Sequence, residues 1–289
     1  MAAVSPQTRS GEDYERTARP AGARPMKNKM WYLIKAYFRF LWQSKNEHAV
    51  HSPFVFALVT HCFYDYKSKP EYAVLKQFRK ALRNNHKTIE VTDFGAGSRV
   101  FKSNRRKISA IAQNAGISQK RAELLLRMAR YLASENILEI GTSLGLATSA
   151  LGLGNPKAKI TTLEGCPQTA AVAQQSFSDF GLTHIELRVG EFETFLKPQK
   201  HASPTPFDLV YFDGNHSKQA TLQYFEWLLP TAHNDSVWIF DDIHWSAEME
   251  EAWQVIKNHP QVTVSIDTFA WGVVFFRREQ PKEHFVIRV

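Results

Sequence analysis

The feature that most constrains the fold is a pair of short apolar segments separated by a glycine turn and a run of small residues. Residues 136–145 read Asn-Ile-Leu-Glu-Ile-Gly-Thr-Ser-Leu-Gly, and residues 160–164 read Ile-Thr-Thr-Leu-Glu. The order strand, glycine turn, helix, strand, acid is typical of a doubly wound sheet that binds an adenosine-bearing cofactor. The glycines would let the backbone approach the ligand, and Glu164 could accept hydrogen bonds from ribose hydroxyls.

The spacing of the glycines separates the cofactor classes. A dinucleotide site requires Gly-x-Gly-x-x-Gly, whereas here three residues lie between Gly141 and Gly145, and Glu139 stands two residues upstream. This pattern resembles the first motif of class I S-adenosylmethionine (SAM)-dependent methyltransferases, in which the first acid lies near the methionine end of the cofactor and the second binds ribose. The resemblance implies a cofactor site made of Glu139, Gly141, Thr142, Ser143, Gly145 and Glu164. An ordinary turn of a parallel sheet is the alternative.

The composition excludes several other classes of protein. Two cysteines, Cys62 and Cys166, provide neither a disulfide framework nor a metal-ligand spacing, which favours a reducing, cytoplasmic location. Residues 1–27 are rich in Arg, Pro, Ser, Thr and Gly and predict a disordered tail. We find no secretory signal, and no apolar run reaches the ~18–20 residues that a membrane span requires.

The net charge of +8 is distributed unevenly. Residues 1–135 contain 25 Lys and Arg against 10 Asp and Glu, a net of +15, whereas residues 136–289 contain 11 against 18, a net of −7. A basic half can attract nucleic acid, anionic lipid or an acidic substrate. A solvated face that complements the acidic half explains the same charges, and we favour it.

The N-terminal region has an aromatic-rich helical pattern. Trp31, Ile34, Phe38 and Leu41 share one face of a predicted helix, which we interpret as core or a lid rather than as a membrane anchor. Ser52-Pro53 predicts the start of a second helix. Residues 108–133 predict two further helices, which resemble a basic helix-turn-helix, but the broad apolar face of the second favours docking on a sheet over binding DNA.

Residues 89–98, Ile-Glu-Val-Thr-Asp-Phe-Gly-Ala-Gly-Ser, also look like a strand and a glycine turn. The residues that follow are basic rather than small, and no strand that ends in an acid arrives about 20 residues later. We therefore interpret 93–107 as a basic connecting loop near the entrance of the site.

Strand and helix patterns alternate from residue 136 onward. Strands are predicted at 136–140, 159–164, 184–189, 207–213 and 236–241, with an antiparallel pair at 262–268 and 271–277. The predicted fold class is α/β: a doubly wound, mainly parallel, seven-stranded Rossmann-like sheet with an antiparallel last strand, preceded by a helical N-terminal region. We divide the chain into the tail 1–27, a basic aromatic-rich region 28–117 and a methyltransferase domain 118–289.

Three acids follow two of the predicted strands. Asp213 ends the apolar run 207–212, and Asp241 and Asp242 end the run 237–240. The carboxyl ends of parallel strands meet at one edge of a sheet, so these carboxylates should converge and repel one another unless a cation joins them. Oxygen ligands with open positions suit Mg²⁺, so we predict a divalent metal at Asp213, Asp241 and Asp242. The alternative is that Asp241 and Asp242 cap a helix and contact the substrate.

Residues 213–216, Asp-Gly-Asn-His, followed by Asp241-Asp242, resemble the metal-dependent small-molecule O-methyltransferases related to catechol O-methyltransferase. This resemblance covers about residues 120–277. Many of those enzymes have a basic lysine where this chain has His216, and relatives with an Asp-Gly-x-His pattern are more similar to it. The family's adenine-binding turn corresponds here to Glu191 and Phe192, and the resemblance also places Asp213 among the cofactor-binding residues.

The expected reaction is therefore transfer of a methyl group from SAM to a hydroxyl of a small molecule. The catalytic residues would be His216, which takes the proton, and Asp213; an imidazole can accept a proton near neutrality. A cap or turn role for His216 is the alternative, and His244 and Trp245 are candidate substrate contacts. Two other functions stay open: an RNA methyltransferase that uses the basic N-terminal half, and a non-catalytic SAM-binding protein. A homodimer is also open.

Overall fold

The computed structural model describes residues 26–92, 103–198 and 205–289. The helices are α1 (Met26–Gln43), α2 (Pro53–Leu58), α3 (Pro70–Arg83), α4 (Ile108–Asn114), α5 (Gln119–Tyr131), α6 (Leu146–Gly154), α7 (Pro167–Asp179), α8 (Phe192–Leu196), α9 (Lys218–Leu228) and α10 (Ala247–Asn258). The strands are β1 (Thr88–Glu90), β2 (Arg105–Lys107), β3 (Asn136–Ile140), β4 (Lys159–Glu164), β5 (Ile185–Val189), β6 (Leu209–Phe212), β7 (Val237–Asp241), β8 (Val264–Asp267), β9 (Trp271–Phe275) and β10 (Glu283–Val286). Nearly all of the predicted tail, and residues 93–102 of the predicted loop, lie outside the described residues.

The main sheet has the strand order β10-β8-β9-β7-β6-β3-β4-β5. Strands β3 to β7 pair in parallel, and β9 runs antiparallel to both β7 and β8. The predicted α/β class and the mainly parallel sheet are confirmed. The predicted number of seven strands is too low by one, because β10 pairs in parallel with the outer edge of β8. The antiparallel strand is therefore β9, and the strand that follows it covers a sheet edge.

Both faces of the sheet are covered, as the apolar character of its strands requires. Along β7, Val237 and Ile239 point to a cluster that includes α2 to α7, whereas Trp238 and Phe240 point to a cluster with α9 and α10. All four side chains are 1% exposed or less. Each contributes about 1.5–3 kcal/mol by leaving water, so β7 lies at the centre of the folded interior.

Helix α5 joins the N-terminal region to this interior. Its residues Leu125 and Met128 have no exposed surface and lie in the same cluster as the sheet, as predicted for a helix docked on a sheet. Arg127 is also buried, and its guanidinium donates to the carbonyl oxygens of Cys62 at 2.8 Å and Phe63 at 3.1 Å. These hydrogen bonds satisfy the backbone just beyond α2 and tie it to α5.

Helix α1 corrects one prediction. Trp31, Ile34 and Phe38 were expected in the core or a lid, but their side chains are 61%, 38% and 66% exposed. The helix instead docks through its opposite side, where Ala36 and Phe40 are buried. Within the ranges that the structure describes, no helix combines the length and the apolar character needed to cross a membrane.

Candidate functional site

The turn after β3 can be built only with glycine at its first position. Gly141 has a φ of 101°, and a Cβ there would lie 2.5 Å from the carbonyl oxygen of Asp213. The backbone N–H groups of Gly141 and Thr142 both donate to the carbonyl of Leu163 at 3.0 Å. At the far end, Gly145 has a φ of 81° and begins α6. Positive φ costs glycine little, so the turn brings bare backbone to the edge of the sheet.

Glu164 lies at the end of β4, where it holds this turn in position. Its Oε2 accepts the Ser143 N–H at 2.7 Å, and its Oε1 accepts the Cys166 N–H at 2.9 Å. One carboxylate thus links the turn after β3 to the turn after β4. This is the position that the sequence predicted for the ribose-binding acid.

Glu139 lies beneath the turn and not on its exposed side. Its side chain has no exposed surface, and its Oε2 accepts from the hydroxyls of Thr148 and Thr162, each at 2.5 Å. Among the described residues, its Oε1 has no hydrogen-bond partner. Burial raises the pKa of Glu139 to about 8. The structure therefore gives Glu139 the geometry of an internal support, and its predicted contact with a ligand stays a prediction.

A cavity of about 450 Å³ opens beside the turn, within the size range of small-ligand sites. Its walls are formed by Val91, Thr92, Arg106, Ile111, Ala115, Gly141, Ser143, Glu164, Gly165, Thr169, Gly190, Glu191, Phe192, Glu193, Asp213, Gly214, Asn215 and Tyr224. Six predicted site residues are on these walls: Gly141, Ser143, Glu164, Glu191, Phe192 and Asp213. Thr142 lines a small neighbouring pocket, and Gly145 packs toward Phe177. Arg106, within the predicted basic loop, also lines the cavity.

The three aspartates predicted to bind a metal do not form such a site. Arg121 of α5 lies against them, with its Nη1 2.9 Å from Asp241 Oδ1 and 4.0 Å from Asp242 Oδ1. Burial acts against the charge of Arg121, but attraction to the nearby carboxylates outweighs it and raises the pKa of the guanidinium. Within the described ranges, no group of three His, Cys, Asp or Glu side chains is arranged to bind a metal ion. The residues as they stand do not fit a resident divalent cation, because an arginine already neutralises the pair.

Asp213 lies between the cavity and the neighbouring carboxylates. Its burial, together with the charges of Asp241 and Asp242, raises the pKa of Asp213 well above its usual range. His216 lies beside it, with Nε2 3.5 Å from Asp213 Oδ1, and its side chain is 27% exposed. The structure thus brings Asp213 and His216 together, although His216 itself is not on the cavity wall.

Two alternative structural roles for these residues are excluded by the caps of the helices. Ser217 caps α9, and its hydroxyl accepts the Ala220 N–H. Ser246 caps α10 in the same way. His216 is therefore not the cap of the following helix, and the Asp241-Asp242 pair does not cap α10.

His244, a candidate substrate contact, is instead committed to an ionic cluster. Its Nε2 lies 2.9 Å from Asp267 Oδ2, its Nδ1 lies 3.8 Å from Glu250 Oε2, and its ring stacks on Phe269. Burial opposes the charge of His244, but the hydrogen bond to Asp267 and the nearby carboxylate of Glu250 raise its pKa to about 9. The neighbouring His244, the Tyr32 hydroxyl and Arg39 together lower the pKa of Glu250 to about 2.

This cluster makes the stability of the fold depend on pH. The pKa of His244 is higher in the folded chain, so its contribution is complete below pH 6.5 and is lost as the pH rises through about 9. We expect a loss of about 2–3 kcal/mol between these pH values, or roughly 5–10 °C in Tm. Glu250 has the opposite sign: its contribution is present above pH 4.5 and is lost toward pH 2.

Thermal unfolding of His244→Gln tests this assignment. The variant should have a lower Tm than the wild type at pH 6 and little further decrease in Tm up to pH 9. A decrease in Tm between pH 6 and pH 9 as large as that of the wild type would contradict the assignment.

Comparison with known proteins agrees with this geometry. Residues 138–243 match the family model described as a methyltransferase domain. The chain is 30% identical over 129 residues to a catechol O-methyltransferase of Niastella koreensis, and 29% identical over 133 residues to one of Mycobacterium tuberculosis. Each alignment covers 44% of this chain, and they cover 58% and 56% of those relatives. The chain therefore contains a methyltransferase domain over residues 138–243.

Solved structures show the same fold for the methyltransferase domain and the region around it. An SAH-bound methyltransferase of Podospora anserina superposes with a TM-score of 0.56 at 16% identity, covering 79% of this chain and 97% of that one. An O-methyltransferase of Bacillus cereus in complex with SAH gives 0.51 at 18% identity, covering 75% and 95%.

One charged residue at the site, Arg121, was not predicted from the sequence. Arg121 lies in the first turn of α5, where a positive charge is unfavourable beside the helix dipole. A basic residue just after the cap Ser118 is therefore a signal that the side chain has another partner. That signal could have been noticed, but it could not have identified Asp241 as the partner.

Proposed function

We propose that this chain is a SAM-dependent O-methyltransferase that acts on a hydroxyl group of a small molecule. The observation that carries the proposal is the cavity beside Gly141, with Glu164 at its rim. The relatives named catechol O-methyltransferase and the O-methyltransferase structures support the class of reaction.

The residues around the cavity fit SAM. Gly141 and Ser143 of the turn after β3 line the cavity, so the backbone of this turn is available for close contact with a ligand. The carboxylate of Glu164 suits ribose hydroxyls, and Glu191 and Phe192, on the same wall, would contact the adenine. When bound, SAM supplies a methyl group on a sulfonium sulfur, which an oxygen nucleophile can attack.

The chain's own residues would position and deprotonate the acceptor. His216 Nε2 lies 3.5 Å from Asp213 Oδ1, so a tautomer with its proton on Nε2 would leave Nδ1 to accept the hydroxyl proton, and Asp213 would orient the ring. Arg121 holds Asp241 and Asp242, which limits the negative charge near the acceptor oxygen. We derive no step through a metal, because Arg121 occupies the carboxylates that would bind one.

The test combines binding and transfer. Calorimetry with SAM should show one site per chain, and a panel of catechols, sugars and other hydroxyl compounds should include an acceptor that becomes methylated. Adding a chelator should leave the rate unchanged, whereas loss of turnover in chelator would restore the metal prediction. Methylation of RNA alone would favour the RNA methyltransferase, and tight SAM binding without any acceptor would favour a binding protein.

Glu164→Gln should weaken SAM binding by roughly 10–100-fold, because a charge-assisted hydrogen bond to ribose contributes about 1.5–3 kcal/mol. The amide keeps one acceptor oxygen for the Ser143 N–H, while the Cys166 N–H loses its acceptor, so thermal unfolding of the variant should show a folded chain with a small loss of stability. Glu186→Gln is the matched control, because this acid lies on the neighbouring strand β5, is paired with Arg188 and is away from the cavity. Equal SAM affinities for the two variants would contradict the assignment of Glu164.

A further inference from the structure

Helix α1 has one docked side and one exposed side. Five apolar side chains form what we call the outer face of α1: Met30, Trp31, Ile34, Phe38 and Trp42. Four of them recur at every fourth residue, so they follow one stripe of the helix. Their exposure ranges from 38% for Ile34 to 89% for Trp42, which is unusual for so many large apolar side chains on one helix.

The outer face is held in a fixed orientation from behind. The Tyr32 hydroxyl donates to Glu250 of α10, and Arg39 Nη1 lies 2.7 Å from Glu250 Oε1. The ring of Phe40 packs on Phe269, with the ring centroids 5.5 Å apart. These contacts dock α1 without using its outer face. The large exposed apolar side chains of that face therefore indicate a binding surface for a partner.

The charge of α1 indicates the chemistry of that partner. The helix contains four basic residues, Lys27, Lys29, Lys35 and Arg39, and no acidic residue. Lys35 is exposed along with the outer face. Trp, Phe and Ile beside lysines on a surface helix are typical of helices that lie in the interface of a bilayer with anionic lipids.

Two other occupants fit less well. A second copy of α1 would bring Lys35 close to the same positive charges in its partner. The N-terminal segment 1–25 has only Met1, Val4 and Tyr14 as large apolar residues, too few to cover five aromatic and aliphatic side chains.

We propose that the outer face of α1 binds the surface of an anionic phospholipid bilayer. The aromatic and aliphatic side chains would enter the boundary between headgroups and acyl chains, and Lys35 beside them would contact the headgroup phosphates. The helix lies on the bilayer and does not cross it.

Co-sedimentation of the full chain with vesicles tests the proposal. Vesicles that contain phosphatidylglycerol should bind the protein and shift its tryptophan emission to shorter wavelength, and pure phosphatidylcholine vesicles should bind it much more weakly. The double variant Phe38→Glu with Trp42→Glu should lower the partition constant roughly tenfold or more. Lys35→Glu should reduce binding to the anionic vesicles alone.

Tyr66→Glu is the matched control, because Tyr66 is an aromatic side chain, 74% exposed, outside α1. It should bind vesicles like the wild type, and all variants should unfold at the wild-type temperature and keep their affinity for SAM. Equal binding to neutral and anionic vesicles would overturn the proposal. Failure to bind either kind of vesicle would also overturn the proposal. This applies to a monomeric protein, and it applies equally to a dimer that the double variant dissociates, in which a second copy would cover the outer face.

Discussion

Gly141→Ala is expected to destabilise the fold by about 3–5 kcal/mol and to abolish measurable SAM binding. The residue has a φ of 101°, which an L side chain rarely adopts, and the new methyl group would lie 2.5 Å from the backbone carbonyl of Asp213. The clash is with backbone rather than with a flexible side chain, so the turn itself must move. Urea unfolding measures the loss of unfolding free energy, as a lower midpoint with an unchanged m-value.

The chain offers a control that separates strain from steric clash. Gly181 also has a positive φ, 70°, but a Cβ there would meet nothing within 4 Å. Gly181→Ala should therefore cost only the backbone strain, about 1–2 kcal/mol, and leave SAM affinity unchanged. Equal losses of stability in the two variants would contradict this explanation. Position 141 would then require glycine because of its φ angle and not because the turn after β3 contacts the backbone of Asp213 after β6.

His216→Ala is expected to lower the rate of methyl transfer by about 10²–10⁴-fold while leaving the affinity for SAM within a few-fold of the wild type. General-base catalysis by a positioned imidazole contributes an effect of this size. Stopped-time assays under saturating SAM, with calorimetry on the same preparations, separate the loss of proton transfer from a loss of binding.

His233→Ala provides the comparison, because His233 Nε2 pairs with Asp208 Oδ1 at 3.0 Å outside the cavity walls. That variant should retain activity. His216→Lys should recover part of the rate, with its optimum moved to higher pH, since an amine must lose its proton before it can act as a base. Full activity in His216→Ala would mean that Asp213 or solvent takes the proton.

The parts of the fold that the sequence predicted are those encoded locally. Strand β3, the turn that begins at Gly141 and strand β4 end where the apolar runs end, because burial on both faces of a parallel sheet requires unbroken apolar segments. The start of α2 at Ser52-Pro53 was also recognisable, and the Ser52 hydroxyl does cap this helix. Strand β10 was missed because its four residues follow a charged segment and it pairs with β8 and not with β9, the strand that precedes it.

The parts that could not be predicted depend on which elements meet. The carboxylates of Asp241 and Asp242 were expected to attract a cation, and a cationic group does lie beside them, but it is the guanidinium of Arg121, which lies 120 residues from Asp241 in sequence. For α1, periodicity identified an apolar stripe but not the side on which the helix docks. The docked side of α1 is determined by the contacts of Tyr32 and Arg39 with Glu250. These partners are separated by 218 and 211 residues in the sequence, so no local pattern indicates them.

The single interior shared by α2 to α5 and the sheet has a consequence for dissecting this protein. The recognisable family segment, 138–243, contains only part of that interior, because residues such as Val55, Phe63, Leu75 and Leu125 supply the layer above the first face of the sheet. A fragment starting at β3 would present those bare strands to water and should aggregate. The N-terminal helices are thus part of the folded interior of this chain. Any truncated or chimeric variant must retain them together with the strands that they cover.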